Sequence, residues 1–115
     1  MLFFGDVIRP EFRGKVNHTF ASQHDLAATL LKQLDLNANA FTWSRNLMNP
    51  YNKQFAYYAL TNGFGWAGDS ATWLAYNYQS KQADWIHCSD KKEEEKLLKN
   101  GKAYLQVLFQ EYLDY

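Results

Sequence analysis

The stretch "FAYYALTNGFGWAGDSATWLAYNYQSKQADWIHC", residues 55–88, decides the fold. Residues 54–60, "QFAYYAL", are rich in the aromatic residues that strands favour. "TNG" follows, and an Asn-Gly pair between aromatic runs is a strong hairpin signal. The expected turn is Asn62-Gly63, with positive φ at both positions. "FGWAG" resumes the strand, "GDS" turns, and "ATWLAYNYQ" alternates as a third strand. After "SKQA", a fourth short strand is expected at "DWIHC". The pattern is an antiparallel meander of three or four strands.

Two helices flank it. Over residues 22–35, Leu26, Leu30 and Leu34 recur at helical spacing, with Ala27 and Leu31 beside them. Ser22 stands at the N-cap, and Asp25 three residues on is close to a capping box and favourable to the helix dipole. Residues 90–113 form the second helix, capped by Asp90 with Glu93 at N3. Its stripe is Leu97, Leu98, Tyr104, Leu105, Leu108, Phe109 and Tyr112. Gly101 interrupts that stripe and marks either a kink or a close approach to the sheet. "DKKEEEKLLK" reads as solvated first turns rather than an interaction tail.

Residues 1–8, "MLFFGDVI", read as a further strand, and "IRPEFRGKVN" as a loop. Residues 37–53 form an Asn-rich loop whose Phe41, Trp43 and Leu47 are expected to pack down. The fold class is therefore α+β: a small antiparallel sheet with two helices, plus an N-terminal strand. A chain of 115 residues fits one domain.

Composition narrows the function classes. Apolar residues make up 47% and aromatics 17%, enough for a core. Twelve basic residues balance twelve acidic ones, which argues against a nucleic-acid footprint. Cys88 is the single cysteine, so no internal disulfide forms. No apolar run approaches the length of a membrane span and no leader is evident, so the chain as given reads as soluble.

Four groupings invite a chemical reading. His18, His24 and Asp25 carry ligand-type side chains, but a zinc site wants three or four converging ligands. His24 and Asp25 lie about 100° apart around a helix and do not share a face. His18 lies in a loop with no further ligand placed near it, and Asp25 reads as a helix-start residue. His87 and Cys88 are adjacent on a strand and point to opposite faces, unlike a catalytic pair. "TNGFGWAGDS" lacks phosphate-loop spacing and no helix follows it. The aromatics Tyr57, Tyr58, Phe64, Trp66, Trp73, Tyr76 and Tyr78 could stack bases or sugars, but without basic residues between them they read mainly as core and cross-strand pairs. No catalytic residue is identified.

"ASQHDLAATLLKQLDL" resembles the segment "SQxDLxPTLLxxLGL" that closes the catalytic domain of sulfatase-like enzymes of the alkaline phosphatase superfamily. The nearest branch is that of lipoteichoic acid synthases and phosphoglycerol transferases. "MLFFGDVIRPEFRGKVNHTFASQ" is similar to the strand and loop that lead to that helix, "WSRNLMNP" to the "SGRNLL" loop after it, and "FAYYALTNGFGWAGDS" to the "FAFYxxNxGFGW" hairpin. The ordered similarity covers about residues 1–80, and the last helix matches in position alone.

The resemblance implies that residues 1–36 are the tail of a catalytic α/β core. The N-terminal strand would then belong to the parent's catalytic sheet, and Met1 would stand inside a longer chain. Residues 37–115 would be a small C-terminal sheet and terminal helix that serve as scaffold. The parent would use a divalent metal (Mn, Mg, Zn or Ca) and a threonine nucleophile, or a modified cysteine or serine in true sulfatases. It would act on phosphate or sulfate esters from a membrane anchor, with an extracytoplasmic catalytic domain. The Asp-His-Gly segment of those enzymes is absent here; His24-Asp25 is the reverse order and sits at a helix start. No catalytic, cofactor or metal residue carries over; the resemblance leaves His18, near the active-site side of that fold, as a metal-ligand candidate, and the chain alone is expected to be inactive. The expected partners are the rest of the parent and a second copy through the exposed strand edge at residues 1–8. Direct membrane and nucleic-acid contacts are not expected. The alternative is a self-standing binding or assembly module that uses the aromatic hairpin as its surface.

Overall fold

A computed structural model describes residues 5–69 and 72–114 of the chain. The element order is a 3-10 turn at Pro10–Phe12, helix α1 (Asp25–Gln33), strands β1 (Ala56–Leu60), β2 (Gly63–Asp69), β3 (Thr72–Asn77) and β4 (Gln82–His87), and helix α2 (Lys91–Leu113). The four strands form one antiparallel sheet in the order β1-β2-β3-β4. The fold is α+β. The chain divides into two compact units, Met1–Lys53 and Gln54–Tyr115.

In the first unit, Gly5–Ile8 is a turn, closed by Ile8 N–H donating to Gly5 O at 3.3 Å. The strand expected over residues 1–8 is not seen in this part, where Gly5 has a φ of 99° that breaks an extended run. Its first four residues lie outside the described residues, as does the edge proposed there for pairing.

Helix α1 begins at Asp25, three residues later than the expected Ser22 start, and His24 rather than Ser22 is its N-cap, with no side-chain cap bond. The Ser22 N–H donates to Asp25 Oδ2 at 2.8 Å, and the Asp25 N–H donates to Ser22 O at 3.1 Å. The helix ends by the physics of the αL cap. Asp35 has a φ of 57°, and the Leu36 N–H returns to Leu31 O at 2.8 Å, the six-to-one bond of a Schellman motif. Asp35 also takes a salt bridge from Arg9, whose backbone N–H donates to Gln33 Oε1 at 3.1 Å. Residues 37–53 belong with α1, and the boundary lies at 53/54 instead of the expected 36/37. The reason is a set of hydrogen bonds from Ser44, Arg45 and Leu47 into the helix.

The second unit is built on alternation. Phe64, Trp66 and Leu74 are buried, and with Leu97 of α2 they form the core. Register places Tyr57 opposite Trp66, Phe64 opposite Tyr76, and Trp66 opposite Leu74, so these side chains share one face. Phe55 stacks on Trp66 with centroids 4.8 Å apart, and Tyr104 of α2 closes on Tyr57 at 4.8 Å. Aromatic pairs of this kind add about 0.5–1.5 kcal/mol each beyond their area.

The first hairpin turns at Thr61-Asn62, and Gly63 is the first residue of β2. This corrects the expected Asn62-Gly63 turn by one residue. None of Thr61, Asn62 and Gly63 has a positive φ. The glycine is needed for a different reason: a Cβ on Gly63 would lie 1.8 Å from the Tyr76 carbonyl oxygen of the neighbouring strand.

Helix α2 starts with Asp90 accepting the Glu93 N–H at 2.8 Å, while Glu93 Oε2 accepts the Ser89 N–H at 2.9 Å. Gly101 marks a close approach to the sheet, since a Cβ there would lie 2.2 Å from Phe64 Cε2. Among the described residues no helix is long and apolar enough to cross a membrane.

Candidate functional site

The densest polar constellation is centred on Asp25. Its side chain is fully buried, at 0% exposure. A lone buried carboxylate would be costly, so its partners decide what it is. Asp25 Oδ1 accepts the Arg45 backbone N–H at 2.8 Å and Arg45 Nε at 3.0 Å. Asp25 Oδ2 accepts the Ser22 N–H and pairs with Arg45 Nη2. The guanidinium thus grips both carboxylate oxygens in a fork. Arg45 Nη1 donates to Lys53 O at 2.8 Å.

Burial pushes the Asp25 carboxyl up, but the hydrogen bonds from Arg45 and Ser22 and the Arg45 charge outweigh it, leaving the pKa below 3.8. The group is an ionised anchor rather than a proton donor near neutrality.

Neighbouring side chains extend the anchor. Thr29 Oγ1 donates to Asp25 O at 2.7 Å, one turn back, and accepts the Leu47 N–H at 2.9 Å. Ser44 Oγ accepts the Ala28 N–H at 2.8 Å. Asn17 Nδ2 donates to Leu47 O at 2.8 Å from the other side. The loop Ser44–Leu47 is therefore bound at both faces of its backbone.

This loop forms one wall of a cleft of about 970 Å³ within the first unit. Leu47 and Met48 face Ile8 and Phe12 there, with Arg13 and Lys15 also lining it. The size suits a small ligand. Yet Arg13 Nε already donates to Ile8 O at 2.8 Å, and its Nη2 lies 3.4 Å from Asp6 Oδ1. No nucleophile with a base converges on the cleft lining.

The structure brings Ser22 and Asp25 together as a helix start and adds Arg45, which sequence reasoning did not single out. Twenty residues separate Asp25 from Arg45, across a loop with no periodicity that could pair them. His24 Nε2 lies 3.9 Å from Asp25 Oδ1, beside the anchor. The metal candidate His18 sits exposed in the loop before α1. Among the described residues no group of three His, Cys, Asp or Glu side chains could hold a metal ion, so a divalent metal finds no ligand set among them.

His87 and Cys88 separate as strand geometry requires. His87 stacks on Trp73 with centroids 6.1 Å apart, while Cys88 packs against the core. Desolvation and the Glu94, Glu93 and Asp90 charges raise the Cys88 thiol pKa, which disfavours the reactive thiolate. Of the aromatic set, Phe64 and Trp66 are core, while Tyr58, Trp73 and Tyr78 keep exposed surface.

No family model, curated protein or solved structure matches the chain.

Proposed function

We propose that the chain is the C-terminal, non-catalytic portion of a metal-dependent enzyme of the sulfatase and phosphoglycerol-transferase kind, acting on phosphate or sulfate esters. Its role there is scaffolding for the catalytic domain: residues 1–36 are the tail end of the catalytic α/β core, and residues 37–115 supply a small C-terminal sheet and terminal helix. The parent is membrane-anchored, with its catalytic domain and divalent metal outside the membrane.

The observation that carries this reading is the Asp25–Arg45 pair. Asp25 falls on the aspartate of "SQxDLxPTLLxxLGL" and Arg45 on the arginine of "SGRNLL". The two residues stand in different segments of the resemblance, and their charged groups meet in one fork. Two further positions agree with the same motif. Its threonine falls on Thr29, which ties the helix to the loop. Its penultimate glycine falls on Asp35, whose φ of 57° is a backbone state that glycine adopts freely. The motif's proline falls on Ala28, a departure at a helix position.

The test is the reading frame upstream of Met1. An in-frame segment with a threonine nucleophile and an Asp-His-Gly is expected, and its absence would sink the proposal.

A second reading is favoured by one observation. Trp85 is 69% exposed on the sheet, with Tyr58 and Trp73 also exposed. We infer from it a self-standing binding module that uses this aromatic surface. Trp66 is not part of such a surface, because it is buried. Trp73→Ala and Trp85→Ala would abolish partner capture without lowering the melting temperature if this reading holds.

A further inference from the structure

We propose that the last turns of α2 form a self-complementary surface through which two copies of this chain pair. Helix α2 has 23 residues and so spans about 34 Å at 1.5 Å per residue. The seven-residue β2 on which it rests reaches only about 23 Å. The apolar stripe does not stop where this support does. Leu97, Gly101, Tyr104, Leu105 and Leu108 follow helical spacing and are buried or half-buried. Tyr112 continues the same stripe at 74% exposure, with Phe109 at 56% and Leu113 at 73% beside it. These apolar side chains lie in the phase of the core-facing stripe or beside it, yet remain mostly exposed among the described residues.

A groove of about 470 Å³ lies next to them in the same unit, between Tyr76 and Tyr78 of the sheet side and Lys102, Phe109 and Leu113 of the helix. The exposed Tyr112 ring and a receiving groove walled in part by Phe109 and Leu113 thus lie on one patch. A two-fold axis places each copy's projections in the other's groove, as a closed isologous interface requires.

Charge favours a second copy over a charged partner. The segment Val107–Leu113 carries one ionisable acid, Glu111, and the chain has no net charge to oppose pairing. With the groove walls included, the Phe109 and Tyr112 rings and the Leu113 side chain give roughly 500 Å² a copy, about 1,000 Å² in all, near the lower limit for a specific interface. The dimer is accordingly weak and concentration-dependent. It does not rest on the proposed enzyme family.

Sedimentation equilibrium of the full chain tests this between about 5 and about 500 μM. A monomer–dimer equilibrium is expected, weakened about tenfold or more by Phe109→Glu and by Leu113→Glu. Circular dichroism confirms that each variant keeps its fold, and two variants guard against one that does not. Trp85→Glu, on the sheet and away from the patch, leaves the equilibrium unchanged. A chain that stays monomeric throughout overturns the proposal. So does a dimer that survives both helix substitutions or is lost in Trp85→Glu, since either outcome places the contact elsewhere.

Discussion

Gly101 of α2 rests on the ring of Phe64 in β2, so closely that a Cβ would come within 2.2 Å of Phe64 Cε2. Phe64 is fully buried and cannot move aside freely. Two effects of alanine at this helical glycine therefore oppose each other. Helix propensity alone gains about 1 kcal/mol. Overpacking against a buried ring costs about 1–3 kcal/mol, and at this separation the clash wins. Gly101→Ala is expected to lower the urea midpoint of the sheet unit. A raised midpoint would show that the helix can shift off the sheet.

The hairpin offers a sharper contrast. Asn62→Ala should change stability by less than about 0.5 kcal/mol, because Asn62 has no positive φ to protect. Gly63→Ala should be severely destabilising, because its Cβ would meet the Tyr76 carbonyl at 1.8 Å. Thermal melts of the two variants decide it. Equal losses would restore the left-handed turn expected from the sequence.

Asp25 and Arg45 should behave as a unit. Asp25→Ala leaves the half-buried Arg45 guanidinium without its carboxylate and should cost up to about 3–5 kcal/mol. Asp25→Leu combined with Arg45→Met should recover part of that loss, since both charges are then gone. Hydrogen exchange at α1 amides measures both variants. Purely additive losses in the double variant would mean that the pair is not coupled.

The same carboxyl sets a pH dependence. Its folded pKa lies below its ordinary value of 3.8. Its stabilisation is thus complete above that value and is lost as the pH falls through the folded pKa. Protection of α1 should drop between about pH 5 and about pH 2. Asp25→Asn should flatten that slope, and an unchanged slope would assign it to other carboxylates.

Cys88 should react slowly. Desolvation and three nearby carboxylates raise its pKa, so labelling by a disulfide reagent at pH 7 should lag behind a free cysteine. The double change Glu93→Gln and Glu94→Gln should speed it, though Asp90 continues to oppose the thiolate. Labelling as fast as free cysteine would contradict the assigned environment.

The meander and both helices were legible in the sequence. Aromatic runs separated by turn residues marked the strands, because strands favour such residues. Asp90 and Glu93 marked the start of α2, because capping is a local exchange of hydrogen bonds, whereas α1 starts three residues after Ser22 with His24 as its N-cap. Tertiary structure alone decided what depends on distant neighbours. Arg45 meets Asp25 from twenty positions along the chain, across helix α1 and the loop after it, and no local pattern encodes such a pairing. Gly63 and Gly101 look alike in sequence to turn or kink glycines. Their meaning comes from Tyr76 and Phe64, whose backbone and ring leave no room for a Cβ. Tyr112 continues the stripe that the sequence assigned to the core, yet it is exposed, because burial depends on which neighbours pack against each turn and not on the helix pattern alone.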